Sequence, residues 1–190
     1  MNIIQDIIQT FDNEILFELF QQRGGASDTV WTIFSLLGNG AFIWITLAGA
    51  LLCFRKTRRA GVAICLSLIG CFLIGNLFLK PKIMRPRPFV THPELTALLR
   101  PGDPWSFPSG HTMTSFAAAT AISRFYLLVS ILAYLLAGAI AFSRLYACVH
   151  YPTDVAAGCL LGIVCGLPTG WLADHIVDLL SAIGRRKGKK

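Results

Sequence analysis

Charge is scarce in this 190-residue chain: 14% of residues are Asp, Glu, Lys or Arg, while 54% are hydrophobic. Soluble domains carry roughly a quarter charged residues, so a soluble fold of this length could not hide the apolar surface present here. Disordered and collagen-like chains are excluded on the same ground. Paired cysteines are also missing. The six cysteines, at 53, 65, 71, 148, 159 and 165, form no Cys-x-x-Cys motif and no Cys/His metal spacing, and they read as small core hydrophobes. The first residues lack the basic start and unbroken apolar core of a secretory signal. No repeat, low-complexity run or interdomain linker appears, and the length suits a single membrane-embedded domain over residues 1–190.

The net charge of +7 falls between and beyond the apolar tracts rather than along a helix face interleaved with aromatics. This pattern argues against nucleic acid as a partner. Uncharged tracts cover 29–54, 60–79, 125–143 and 155–173, each long enough to cross a bilayer as a helix. A fifth, at 104–123, opens on a turn sequence and predicts a shorter helix over 109–123. Residues 1–22 place Ile3, Ile4, Ile7, Ile8, Phe11, Ile15, Leu16 and Leu19 at helical spacing, interrupted by Asp6, Asp12, Glu14 and Glu18. That spacing predicts an amphipathic helix in the interface; a soluble helix packed on the bundle end fits the pattern as well. The expected fold is an all-α polytopic transmembrane bundle, five spans plus an amphipathic N-terminal helix, six helices in all.

Loop charges set the orientation. Arg55, Lys56, Arg58 and Arg59 follow the first span, and Arg185, Arg186, Lys187, Lys189 and Lys190 lie in a basic tail over 183–190; both belong on the cytoplasmic side. The loop after Lys80 and the segment around 144–154 then share the outer face. Lys80, Lys82, Arg85, Arg87 and Arg100 sit in that outer loop against the topological rule, which marks a site rather than an orientation signal.

Three short segments carry the chemistry. In Lys80-Pro-Lys-Ile-Met-Arg-Pro-Arg87-Pro88, four cations fall within eight residues and suit an anion, although contact with lipid headgroups would use the same charges. Ser106-Phe-Pro-Ser109-Gly110-His111 leads into an uncharged helix, whose free N–H groups make an anion seat. Ordinary helix capping explains that sequence equally well. Ser143-Arg144-Leu-Tyr-Ala-Cys-Val-His150-Tyr-Pro-Thr-Asp154 puts Pro152 in a first helical turn and a carboxylate within reach of His150; capping with a snorkelling Arg144 is the plainer reading.

Topology gathers all three segments at one face, and together they describe phosphoryl transfer through histidine. His150, oriented by Asp154, attacks phosphorus. Lys80, Arg87, Arg144, Ser109 and the Gly110 backbone bind the phosphate oxygens, and His111 protonates the leaving oxygen. No carboxylate pair or thiolate set suggests a metal site, so no metal or other cofactor is expected. Lys82 and Arg85 read as surface charge, with contact to a second phosphate or a headgroup as the alternative, and His92 and His175 as solvent or interface residues. Trp31, Trp105 and Trp171 read as belt anchors, and Trp44 as packing. Gly158, Gly162, Gly166 and Gly170 form a small-residue ridge for close helix approach, and Gly38-Asn39-Gly40 suggests a bend in the first span.

Lys80 with Arg87-Pro88, Pro108-Ser109-Gly110-His111, and Ser143-Arg144 with His150 and Asp154 resemble the three signature motifs of the type 2 phosphatidic acid phosphatase family, membrane lipid phosphatases related to vanadium haloperoxidases. The resemblance spans residues 80–154 and departs at no signature position. It implies a helical bundle and a metal-independent phosphatase with the roles given above. Members often have six spans, one more than is counted here. The expected substrate is a membrane lipid phosphate, with undecaprenyl diphosphate in a bacterial inner membrane favoured. Phosphatidylglycerol phosphate, phosphatidic acid and lipid A phosphate are alternatives, as are a lipid phosphotransferase and a non-catalytic lipid-binding protein.

Overall fold

Apolar side chains cover the outside of this molecule as densely as its inside, and the helices are arranged around that fact. The computed structural model describes residues 3–187, with side chains through Arg185. Ten α-helices make up most of the described chain: α1 (Ile3–Gln21), α2 (Gly25–Leu37), α3 (Phe42–Leu52), α4 (Arg58–Cys71), α5 (Lys80–Ile83), α6 (Pro88–Thr91), α7 (Gly110–Ser123), α8 (Leu127–Tyr146), α9 (Pro152–Gly166) and α10 (Thr169–Lys187). The residues of the basic tail beyond Lys187 lie outside the described part.

Three helical stretches are long and apolar enough to cross a membrane: Arg58–Ile83, Leu127–Tyr146 and Pro152–Arg185. A fourth results if α2 and α3 count as one span bent by 49°. The bend falls at the predicted Gly38-Asn39-Gly40, where Gly40 and Ala41 both take left-handed backbone, each at φ 57. The span from Arg58 is continuous because a π-helical stretch, Phe72–Leu79, joins α4 to α5. The last tract is likewise longer than 155–173, running from Pro152 into α10 with a break at Leu167 and Pro168.

Helix α7 is the axis. Its 14 residues are fewer than a bilayer-crossing helix needs, but it is buried on nearly every face, and Ala117, Ala118, Ala119 and Ala121 have no exposed surface. Small side chains make this possible, because they let a neighbouring helix approach to backbone contact. The predicted glycine ridge of α9 lies against it. A Cβ on Gly158, Gly162 or Gly166 would stand 2.8, 2.4 or 2.6 Å from the carbonyl oxygens of Ser109, Met113 and Ala117. On the other side Trp44 of α3, 1% exposed, donates its indole N–H to Ser115 Oγ at 2.9 Å, as a packing role requires. Leu128 and Leu132 of α8, Leu160 of α9 and Phe72 instead point outward and are exposed, the surface that acyl chains cover in a membrane protein.

At the end opposite the signature segments, Arg59 pairs with Asp174 at 2.9 Å and Asp178 at 2.5 Å, tying α4 to α10. The chain crosses to the other end through α4, and there α5, α6, the loop to Ser109 and the α8–α9 connection meet.

Candidate active site

Each candidate residue sits at a helix end, where the backbone can turn a side chain inward. The π-helical stretch leads directly into α5 and sets the register of Lys80; π-turns of this kind are often found at functional sites. Met84 then adopts left-handed backbone at φ 47, turning the chain ahead of Arg85, and Arg87 follows in extended conformation. Ser109 is the N-cap of α7 in extended conformation, and its backbone N–H donates to the Asp154 carbonyl at 3.2 Å, which fastens the start of α7 to the start of α9. Before α9, Cys148 takes φ 54, and Pro152 stands in the first helical turn as predicted.

A cavity of about 980 Å³ is lined by Lys80, Arg87, Gly110, His111, Arg144 and His150. The structure therefore brings together residues from all three sequence segments. Two predicted residues stand just behind its wall. Asp154 is fully buried and reaches the cavity only through His150, and Ser109 is equally buried, with its hydroxyl accepting from Thr112 Oγ1 at 2.9 Å. The Gly110 and His111 backbone, rather than the Ser109 hydroxyl, forms the α7 end of the cavity.

His150 is 2% exposed. Its Nε2 lies 3.3 Å from Arg87 Nη1, and because a guanidinium can only donate, Nε2 presents a lone pair. The proton therefore belongs on Nδ1, which faces Asp154 Oδ2 at 3.7 Å. That is longer than a hydrogen bond, and such catalytic contacts commonly tighten once substrate is bound. Burial lowers the His150 pKa to about 4; Asp154 opposes the shift and Arg87 and Arg144 reinforce it. The imidazole is consequently neutral at physiological pH, the state a nucleophile requires.

The cations are fixed by the protein. Arg87 donates to Val149 O at 2.8 Å and through Nε to Asp103 O at 2.9 Å, and Arg144 Nη1 donates to Ser35 Oγ of α2. Arg144 Nε and His111 Nε2 are buried without a protein partner, and both residues line the cavity. Asp103, which the sequence did not single out, bridges Lys80 and Arg87 at 2.9 Å each. Burial alone would raise its pKa, but these two cations outweigh that and hold the carboxyl below the usual range.

Away from this polar centre the cavity wall becomes apolar, with Ile45 of α3, Ile69 of α4 and Phe72, all of which are also exposed on the outer surface. On its other side the cavity reaches Arg100 and Gly102 of the loop, which are exposed as well. It thus has an apolar flank between helices and a polar mouth at the bundle end.

Two expectations are corrected. Arg85 is no surface charge: its side chain is 18% exposed and pairs with Asp12 at 2.7 Å and Asp154 at 2.8 Å. Helix α1 forms as predicted, but its acids do not all face water. Asp12 is fully buried, while Ile3, Ile4, Ile7, Ile8 and Phe11 are exposed. The sequence signal for both was one of four acids in an isoleucine-rich helix and an arginine between Lys82 and Arg87, and a buried pairing across 73 residues cannot be read from either alone. His92 lies at the surface, 3.5 Å from Glu94.

The chain is similar to known membrane phosphatases in sequence and in overall fold. The family model of the PAP2 superfamily matches residues 57–175. An undecaprenyl-diphosphatase of Sulfolobus acidocaldarius is 31% identical over 152 residues, covering 79% of this chain and 73% of its own. A lipid A 4'-phosphatase of Bacteroides thetaiotaomicron is 29% identical over 186 residues, covering 90% and 81%. The crystal structure of a transmembrane PAP2 type phosphatidylglycerolphosphate phosphatase from Bacillus subtilis superposes with a TM-score of 0.74 at 27% identity, covering 90% of this chain and 88% of that one.

Proposed function

Since the chain belongs to the PAP2 superfamily, with relatives that are phosphatases of lipid phosphates, we propose that it is an integral-membrane lipid phosphatase working through a phosphohistidine at His150. The observation that carries this reading is His150 Nε2 standing 3.3 Å from Arg87 Nη1 in a cavity that joins three cations to an apolar flank.

The substrate phosphate sits among Lys80, Arg87, Arg144 and the backbone N–H groups at the start of α7, where the helix N-terminus favours an anion. His150 Nε2 forms a bond to phosphorus as the bond to the leaving oxygen breaks, and the cations neutralise charge on the equatorial oxygens. His111, which carries a proton once the anionic substrate offsets the cations around it, gives that proton to the leaving oxygen. Asp154 stabilises the positive charge that develops on the His150 ring. Water, surrendering its proton to the now neutral His111, then attacks phosphorus and breaks the P–N bond, releasing phosphate and restoring both histidines. No step calls on a metal ion.

The apolar flank at Ile45, Ile69 and Phe72 supports a substrate whose tail stays in the bilayer. A polyprenyl diphosphate such as undecaprenyl diphosphate is the favoured substrate, an inference supported by the activity of the Sulfolobus relative. In this reading α7 completes five spans, α1 lies along the interface, and the site faces outward at a bacterial inner membrane. The basic α3–α4 loop and the C-terminal residues are then cytoplasmic.

The test is phosphate release by the detergent-purified protein in EDTA, with wild type and His150→Ala compared on undecaprenyl diphosphate, phosphatidylglycerol phosphate, phosphatidic acid and a lipid A phosphate. Release that survives EDTA and vanishes in His150→Ala is expected, fastest on the polyprenyl diphosphate. Equal release by the mutant would overturn the mechanism, and a faster rate on another lipid would reassign the substrate.

A further inference from the structure

Helix α1 is attached to the bundle by an apolar patch, Leu16 with Phe17 and Phe20 against Leu95, Cys148 and Tyr151, and by charge. Its isoleucines point outward, with Ile3 76% exposed and Ile7 64%, whereas Asp12 on its inner side is fully buried. A buried carboxylate is unfavourable unless it is fully paired, and this one is. Asp12 Oδ1 accepts from Thr153 N at 2.9 Å, and Oδ2 accepts from Thr153 Oγ1 at 2.5 Å and from Arg85 Nη2 at 2.7 Å. It therefore caps the first turn of α9 from a different helix.

Arg85 connects this carboxylate to the catalytic one. Its Nη1 donates to Asp154 Oδ1 and to Thr153 Oγ1, both at 2.8 Å, and Gln9 Oε1 accepts from Nη2 at 3.2 Å. The guanidinium also lies 3.9 Å from the centre of the Tyr151 ring. With Arg85 on one oxygen and the Tyr151 N–H on the other at 2.9 Å, Asp154 has one orientation, and Oδ2 is the atom that faces His150. The planar fork of Arg85 can hold this orientation because its second arm is anchored on Asp12. Without that anchor the guanidinium has a single carboxylate to serve and is held only by the neutral contacts to Thr153, Gln9 and the Tyr151 ring, so its hold on Asp154 loosens.

We propose that Asp12, which lies outside the family-matched segment, is a positioning residue of the catalytic centre, fixing Asp154 through Arg85 and thereby the ring of His150. The proposal rests on the reading of His150 as the nucleophile. It makes α1 part of the active centre, although no residue of α1 lines the cavity.

Of the phosphate-binding cations only Arg87 touches this chain of contacts, through His150, and it is held separately by Asp103 and the Val149 carbonyl, so Asp12 affects turnover far more than phosphate affinity. The experiment compares full-length wild type with Asp12→Asn, Asp12→Glu, Arg85→Lys and His150→Ala in detergent, measuring kcat and KM on undecaprenyl diphosphate, inhibition by inorganic phosphate and thermal midpoint. Loss of an outer partner of this kind typically lowers activity ~10–100-fold. Asp12→Asn is expected to show that loss in kcat with KM and phosphate inhibition within about twofold, and Asp12→Glu to recover part of it. If Asp12→Asn does not fold, Arg85→Lys, which keeps the charge but bridges one carboxylate only, is expected to show the same split. Wild-type kcat in a folded Asp12→Asn, or KM and phosphate inhibition weakening in step with kcat, overturns the proposal. Activity remaining in His150→Ala overturns the underlying mechanism instead.

Discussion

Placing a methyl group on Gly162 tests the packing that positions the whole site. Its Cβ would stand 2.4 Å from the Met113 carbonyl oxygen, against 3.4 Å for ordinary contact, and the obstacle is backbone rather than a movable side chain. Helices α7 and α9 must separate by about 1 Å to admit it. Overpacking of this kind costs ~1–3 kcal/mol, and replacing glycine by alanine within a helix returns at most about 1 kcal/mol. Gly138 of α8 is the control, since a Cβ there meets nothing within 4 Å and only the helical gain applies. Because the helical gain is common to both, the two alanine variants are expected to differ by the overpacking cost, ~1–3 kcal/mol in the energy of the folded state. Because α7 begins at Gly110 and His111, a displacement near 1 Å also predicts a loss of about 10²-fold in rate. Thermal inactivation in detergent and phosphate release at a fixed temperature measure the two effects. A Gly162→Ala protein as stable and as active as Gly138→Ala would refute the view that backbone contact between α7 and α9 holds the site.

Three further outcomes follow from the geometry. In Gly38→Ala, a Cβ 2.8 Å from His111 Cδ2 and 2.7 Å from Ile140 Cγ2 displaces the acid, so kcat is expected to drop roughly 10–100-fold with the fold retained; an unchanged kcat in steady-state assays would contradict this. Asp103→Asn removes the half-exposed carboxylate that bridges Lys80 and Arg87. At ~0.5–1 kcal/mol for each pair, inorganic phosphate should inhibit this variant ~5–30-fold more tightly, and an unchanged or weaker inhibition constant counts against competition between carboxylate and phosphate. Because burial holds the His150 pKa near 4, the ring remains a neutral nucleophile as pH falls through 6.5, the ordinary histidine value. The acid limb of kcat/KM, which reports the free enzyme, is expected well below pH 6, and a limb at 6.5 would show that the ring titrates normally.

How much of this was legible in the sequence depended on how local each signal was. The three cation- and histidine-bearing segments were readable because each places its chemistry within a dozen residues, and Pro152 and Asp154 define a helix start by themselves. The glycine ridge of α9 and the bend at Gly38 to Gly40 were readable for the same reason. Asp12 was not, because an acid in an apolar helix looks the same whether it faces water or a buried guanidinium 73 positions away. Arg85 was hidden by its neighbours, since the sequence does not distinguish which of several adjacent cations faces substrate and which faces inward. Asp103 lies in a loop with no periodicity, and its bridge to Lys80 and Arg87 exists only after the chain has folded back. The π-helical stretch before Lys80 has no composition of its own.

The apolar and polar flanks of the cavity have a consequence for traffic in the proposed reaction. Exposed Ile45, Ile69 and Phe72 border one side, and Arg100 and Gly102 the other. A substrate entering sideways never has to leave the hydrocarbon phase, and its dephosphorylated remainder returns by the same door while orthophosphate departs into water. The products partition into different solvents, so neither blocks the other's exit. Discrimination then falls on the part that reaches the cations, and chain length of the lipid becomes a weak determinant of rate.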